Sequence, residues 1–203
     1  MNTIQNGCKF YMKTLQNFET NPEIAYLHLI TVGEILANYF EYDENEILEQ
    51  DDIKPVLNKM EASLCFNDKE IKIVTNRIFS IKKKFVITFN KLVNDKFFIV
   101  TEVLYNDWGK LTKENFEKCM KASYDLRSRY VHSGFNFGNY ISLNYGGMRG
   151  EILKRQINHP DKKLKKLLQK IPTFIGLERI VRYALLRFIH LEGFPLDPCL
   201  NDK

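Results

Sequence analysis

Apolar residues recur at helical spacing through most of the chain, and each run is bounded by residues that start or stop helices. Asn21-Pro22-Glu23 puts a cap, a first-position proline and a first-turn acid in register, and predicts a helix to about Phe40. Ile24, Leu27, Thr31, Ile35 and Tyr39 fall on or near one face of it, with Glu34 the charged residue closest to that face. Asp51 and Asp52 open a helix to about Cys65. Asp68 can cap a longer one, along which Ile71, Val74, Ile78, Ile81, Phe85, Phe89 and Leu92 recur. Residues 97–104 are apolar enough for a strand or a buried helix, and periodicity leaves both open. A turn at Asn106-Asp107-Trp108-Gly109 leads to Thr112, the cap of a helix that carries Phe116, Met120, Tyr124 and Leu126 and stops at Gly134. Asp161 caps a helix over Lys162–Ile171, which Pro172 ends. Thr173 then starts a final helix to about Leu191, closed by Gly193 and Pro195.

The pattern predicts an all-α fold, an antiparallel helical bundle in a single domain over 1–203. The core is expected at about 20–192, with residues 1–20 a short helix or loosely held arm and an irregular tail from Phe194. With 203 residues, 44% of them hydrophobic, and only 10 Gly and 6 Pro, the chain reads as globular rather than disordered. No repeat or long linker divides it. One segment changes texture: from Phe135 to Gly150 glycine, asparagine and aromatics alternate, which predicts a loop or small hairpin after the preceding helix.

Charge narrows the picture only slightly. Thirty basic against 25 acidic residues give a net +5, which permits nucleic-acid binding without singling it out. The densest basic stripe is Lys162, Lys163, Lys165, Lys166 and Lys170, opposite Leu164, Leu167, Leu168 and Ile171. A solvated face is the default for such a run, and a track for RNA phosphates is its functional reading; Lys82-Lys83-Lys84 poses the same choice. Cys8, Cys65, Cys119 and Cys199 are far apart and do not cluster with His28, His132, His159 or His190. That argues against a zinc site and for free thiols in a reducing cytosol, so no metal, no cofactor and a cytoplasmic location are expected. No leader pattern occurs, and no run approaches the ~18 apolar residues of a spanning helix, so no membrane segment is expected.

The chemistry gathers in Ser123-Tyr-Asp-Leu-Arg-Ser-Arg-Tyr-Val-His-Ser-Gly134. An arginine's planar donor fork matches phosphate oxygens, and histidine is the side chain whose ordinary pKa lies nearest neutrality. Arg127 and His132 together at a helix end are suited to cleaving a phosphodiester without a metal. Arg127-x-x-x-x-His132, set in Leu-Arg-Ser-Arg-Tyr-Val-His-Ser-Gly, resembles the Arg-x4–6-His motif of HEPN-domain proteins. It looks most like the Apea-like branch, whose motif helix tends to read Leu-Arg-(small)-x-x-Val-His-Gly. The resemblance covers roughly 20–65 and 112–190 and implies a HEPN-like bundle.

It also implies a metal-independent endoribonuclease. A base takes the proton of a 2′-hydroxyl, the oxygen attacks the adjacent phosphorus, and an acid protonates the leaving 5′-oxygen. The products are a 2′,3′-cyclic phosphate and a 5′-hydroxyl. In this reading Arg127 holds the scissile phosphate and His132 moves protons, with Ser128 or Tyr130 assisting and Arg129 as a second phosphate ligand or a surface cation. Glu34 borders the cleft, or is simply a solvated helix glutamate. In the aromatic segment, Phe135, Phe137, Tyr140 or Tyr145 stack on bases and Arg149 meets phosphate, or the rings pack on the domain. Five residues along an ideal helix leave two side chains ~140° apart. Either the helix unwinds near His132, or half the site comes from another subunit; the resemblance implies the latter, a homodimer with a composite cleft. It further implies an antitoxin or regulatory partner and a role in growth arrest or antiphage defence. One position departs: some HEPN toxins carry a modifiable tyrosine two residues after the motif histidine, where this chain has Gly134. The competing reading is a non-catalytic HEPN-like module that binds RNA or nucleotide, or mediates dimerisation in a larger assembly.

Overall fold

A computed structural model describes residues 2–42, 58–60, 62, 67, 69–70, 81–101, 109–142, 150–152 and 157–195. Among these the regular structure is helical, apart from one isolated antiparallel bridge between Ile152 and Pro172. In chain order the helices are α1 (Asn2–Asn17), α2 (Pro22–Ala37), α3 (Ile81–Leu92), α4 (Asp95–Ile99), α5 (Lys113–Ser133), α6 (Gly138–Ile141), α7 (Lys162–Leu168) and α8 (Phe174–Leu191). The fold is all-α, as the apolar spacing predicts.

The caps act where the sequence puts them. Asn21 Oδ1 accepts from Ile24 N at 3.2 Å, and Pro22 begins α2. Asn115 Oδ1 accepts from Thr112 N at 2.9 Å, one half of the capping box that starts α5. Asp161 Oδ1 accepts from Lys163 N and Leu164 N at 2.7 and 3.1 Å, and Thr173 Oγ1 from Gly176 N at 3.2 Å.

Helix α2 runs through the middle, touching α1, α3, α5, α6 and α8. Its buried positions are Ala25, Tyr26, Leu29, Ile30, Val32, Gly33, Leu36 and Ala37, not the predicted line; Tyr39 is exposed. The helix is apolar nearly all round, so spacing has no polar face to measure against. Residues 2–17 form a full helix rather than an arm. The short turn after Asn17 folds α1 back antiparallel on α2. Thr14 Oγ1 donates to Ala25 O at 3.3 Å, Tyr11 OH to a Glu178 carboxylate oxygen, and Phe18 stacks on Phe174 at 4.3 Å.

Within 97–104, the described start is the end of a one-turn helix. After α5 comes another one-turn helix, α6, in place of a hairpin at those positions. The predicted helix over 51–65 for the most part, the 71–80 stretch of the next, Trp108, Tyr145, Arg149 and the tail from 196 lie outside the described residues.

One buried polar cluster ties the second half of the chain together. Glu151, with no solvent exposure, sets Oε1 2.5 Å from Arg179 Nε and accepts from Leu111 N through Oε2 at 2.8 Å. Arg179 Nη1 donates to Phe97 O and Val100 O at 3.0 and 2.9 Å, and its guanidinium lies 3.8 Å from the Phe97 ring centre. The spacing of α8 marks Arg179 as surface charge, yet it is buried, because its partners come from segments 28 to 82 residues away in sequence. Gly176 is needed here, since a Cβ would lie 2.1 Å from Glu151 O.

Candidate functional site

The motif residues sit on α5, which stays helical through Ser133 and ends at Gly134, φ 63°, whose N–H donates to Tyr130 O at 3.0 Å. The helix does not unwind near His132. Arg127 and His132 therefore leave it ~140° apart and do not converge within one copy.

Arg127 faces the bundle. Its Nη2 is 3.6 Å from Glu34 Oε1, and Tyr124 OH donates to the same oxygen at 3.0 Å. The guanidinium carbon is 5.7 Å from the Tyr124 ring centre, and that ring rests against Phe85. Burial, then the Glu34 charge and hydrogen bond, push the Tyr124 hydroxyl up to about 12, so it remains a donor at neutral pH. The Arg127–Glu34 contact is longer than a hydrogen bond, and the side chain is one-third exposed, so its donor fork stays uncommitted among the described residues. Glu34 is thus brought to Arg127. His132 is exposed in the last turn.

The other side of α5 forms one wall of a groove. Lys118, Lys121, Ala122, Asp125, Ser128 and Arg129 line it, recurring at three- and four-residue steps, and α7 and its following turn supply Lys163, Lys166, Leu167 and Lys170. The space between them is about 500 Å³. Asp125 is held by Lys82 at 2.5 Å, so Lys82 is committed to an ion pair. Arg129 Nη1 reaches Asp161 Oδ2 at 3.7 Å. Six cations against one carboxylate give the lining an excess of five positive charges, equal to the formal excess of the entire chain. No family model, curated protein or solved structure matches this chain.

The remaining expected residues divide. Lys163 and Lys166 line the groove, whereas Lys162 and Lys165 do not. Tyr130 is half-buried, edge-on to Phe137 at 5.6 Å. Phe137 is fully buried, and Tyr140 is half-buried, stacked with Phe135 at 6.3 Å. Glu23 Oε1 accepts from Phe137 N and Gly138 N at 2.5 and 2.7 Å, so this part of the aromatic segment is pinned to α2. Lys118 and Lys121 escaped the sequence reading; their signal is the three- and four-residue spacing to Asp125, Ser128 and Arg129. Among the described residues no group of His, Cys, Asp or Glu could hold a metal, and no helix is long and apolar enough to cross a membrane.

Asp161 sets the groove's far wall. Backbone hydrogen bonds from Leu164 and Lys163, then the Arg129 and His159 charges, hold its carboxyl below the usual range. A carboxyl lowered on folding contributes stability above its unfolded pKa of ~3.9, and that contribution is lost as pH falls through the folded value. Asp161→Asn keeps a cap but removes the titration. Urea midpoints at pH 5 and pH 3 are expected to fall further for wild type than for Asp161→Asn; equal falls refute this role.

Proposed function

We propose that the chain is a metal-independent endoribonuclease of HEPN type, acting as a pair of copies. The carrying observation is the mooring of Arg127 by Glu34 and Tyr124 with its donor fork uncommitted, on the same helix as an exposed terminal histidine. A fixed guanidinium suits a pentacoordinate phosphate, whose charge exceeds that of the diester, and an exposed imidazole suits transfer to and from the 2′- and 5′-oxygens. The divergence of the two on a regular helix favours a site completed by a second copy, with Arg127 from one and His132 from the other. Such an enzyme needs restraint in its own cell, hence an antitoxin or regulatory partner and a role in growth arrest or antiphage defence.

Purified protein is expected to cleave mixed RNA in excess EDTA, leaving 2′,3′-cyclic phosphate ends. Cleavage that survives in folded His132→Ala rules out this assignment. The basic groove favours a second reading, an RNA-binding module without catalysis, which RNA binding by a folded protein that never cleaves would select.

A further inference from the structure

We propose that the groove between α5 and α7 is a track for the backbone of single-stranded RNA, leading towards His132. Its approach to His132 rests on the ribonuclease reading; binding of the strand does not.

Successive residues of a helix are 100° apart. On α5 the lining residues Lys118, Lys121, Ala122, Asp125, Ser128 and Arg129 therefore fall within an arc of about 120°. His132 falls within the same arc, near its middle and one turn beyond Arg129, whereas Arg127 projects from the opposite side. The groove thus runs along the face of α5 that ends at the imidazole. From Lys118 to Arg129 the α5 wall extends about 16 Å, enough for a short run of nucleotides.

The lining selects the ligand's chemistry. Lys118, Lys163, Lys166 and Lys170 make no ion pair among the described residues, while Lys121 and Arg129 hold exposed, exchangeable partners in Glu117 and Asp161. Among the described residues the apolar lining is only Ala122 and Leu167, and no aromatic ring of theirs offers a base a stacking surface. Cations without stacking platforms read phosphate and not sequence. Two apolar side chains, Ala122 buried and Leu167 half-buried, present a lipid surface with no exposed apolar patch. A positively charged groove about 16 Å long can follow the backbone of a single strand.

The test is fluorescence anisotropy of labelled oligo-U and oligo-A on His132→Ala protein, in which the proposed cleavage is disabled, from 50 to 200 mM salt. Both RNAs are expected to bind comparably. Lys163→Ala/Lys166→Ala/Lys170→Ala, with unchanged circular dichroism, is expected to bind at least about tenfold more weakly, its log–log salt slope flatter by about 2 for three lost phosphate contacts. Lys162→Ala/Lys165→Ala, on the same helix but outside the groove, is expected to match the parent. Absence of RNA binding, an unaffected triple variant, or an equal loss in the Lys162/Lys165 pair overturns the track. Competition by polyglutamate as strong as by RNA of equal charge overturns RNA as the occupant. Binding lost in the triple variant while wild type cleaves nothing refutes the ribonuclease alone; cleavage by wild type with normal binding in the triple variant refutes the track alone.

Discussion

Glu151→Ala is expected to destabilise the protein by about 3–5 kcal/mol, the cost of breaking a buried ion pair from one side. Set against a typical domain stability of ~5–15 kcal/mol, that brings the chain close to unfolding. The substitution leaves the Arg179 guanidinium buried with two neutral carbonyls and a ring face, and it removes the acceptor of Leu111 N–H. An exposed pair such as Lys113–Asp95, at 2.8 Å, has no comparable effect because water replaces either partner. A thermal midpoint lowered by roughly 10 °C or more is expected; a shift of only a degree or two refutes the account. Glu151→Leu/Arg179→Met is expected to be less damaging than the sum of its parts, since an apolar pair leaves no orphaned charge.

An equal mixture of Arg127→Ala and His132→Ala proteins is expected to regain about a quarter of wild-type cleavage, although each alone is nearly inactive. Removing a proton-transfer group costs ~10²–10⁴-fold and removing a transition-state cation ~10²–10³-fold. Random exchange makes half the pairs mixed, and in a two-fold pair each mixed assembly has one complete site. A mixture as inactive as its parents, with subunit exchange verified, sinks the two-copy arrangement. Arg129→Ala provides a second discriminator. If it costs more than Arg127→Ala, the phosphate ligand is the arginine on the histidine's own face, which carries His132 and Arg129 ~60° apart.

Helix ends were legible because they depend on residues adjacent in sequence: Asn21-Pro22-Glu23, Thr112, Gly134, Asp161 and Thr173 all act locally. The inward face of α2 was not, because a helix apolar all round carries no phase. Helix α1 was half-legible, its packed apolar residues Ile4, Cys8, Phe10 and Tyr11 diluted by polar neighbours and its order supplied by packing on α2. The burial of Arg179 was hidden for a different reason: nothing in α8 announces Glu151. The candidate site shows the same division. Arg127, His132 and Glu34 were singled out through motif and face, whereas the groove depends on apposing α5 to α7, and lysines shared between two helices look sparse on each. Net charge hid them as well, since the rest of the chain balances to zero.

The Arg129–Asp161 contact gives the groove a resting state. In the free protein the carboxylate occupies the position a phosphate oxygen would take beside that guanidinium. Asp161 owes its place to the backbone N–H groups of Lys163 and Leu164 and keeps them whether or not Arg129 stays. On the proposed track, the guanidinium would turn to an arriving strand while α7 stayed capped. The exchange trades one exposed ion pair for another, at a cost of about 1 kcal/mol or less. On the proposed RNA track, a single small anion would gain little from displacing that built-in counter-ion, whereas a polymer that also engages the neighbouring lysines would displace it readily, and the contact would act as a threshold for chain length.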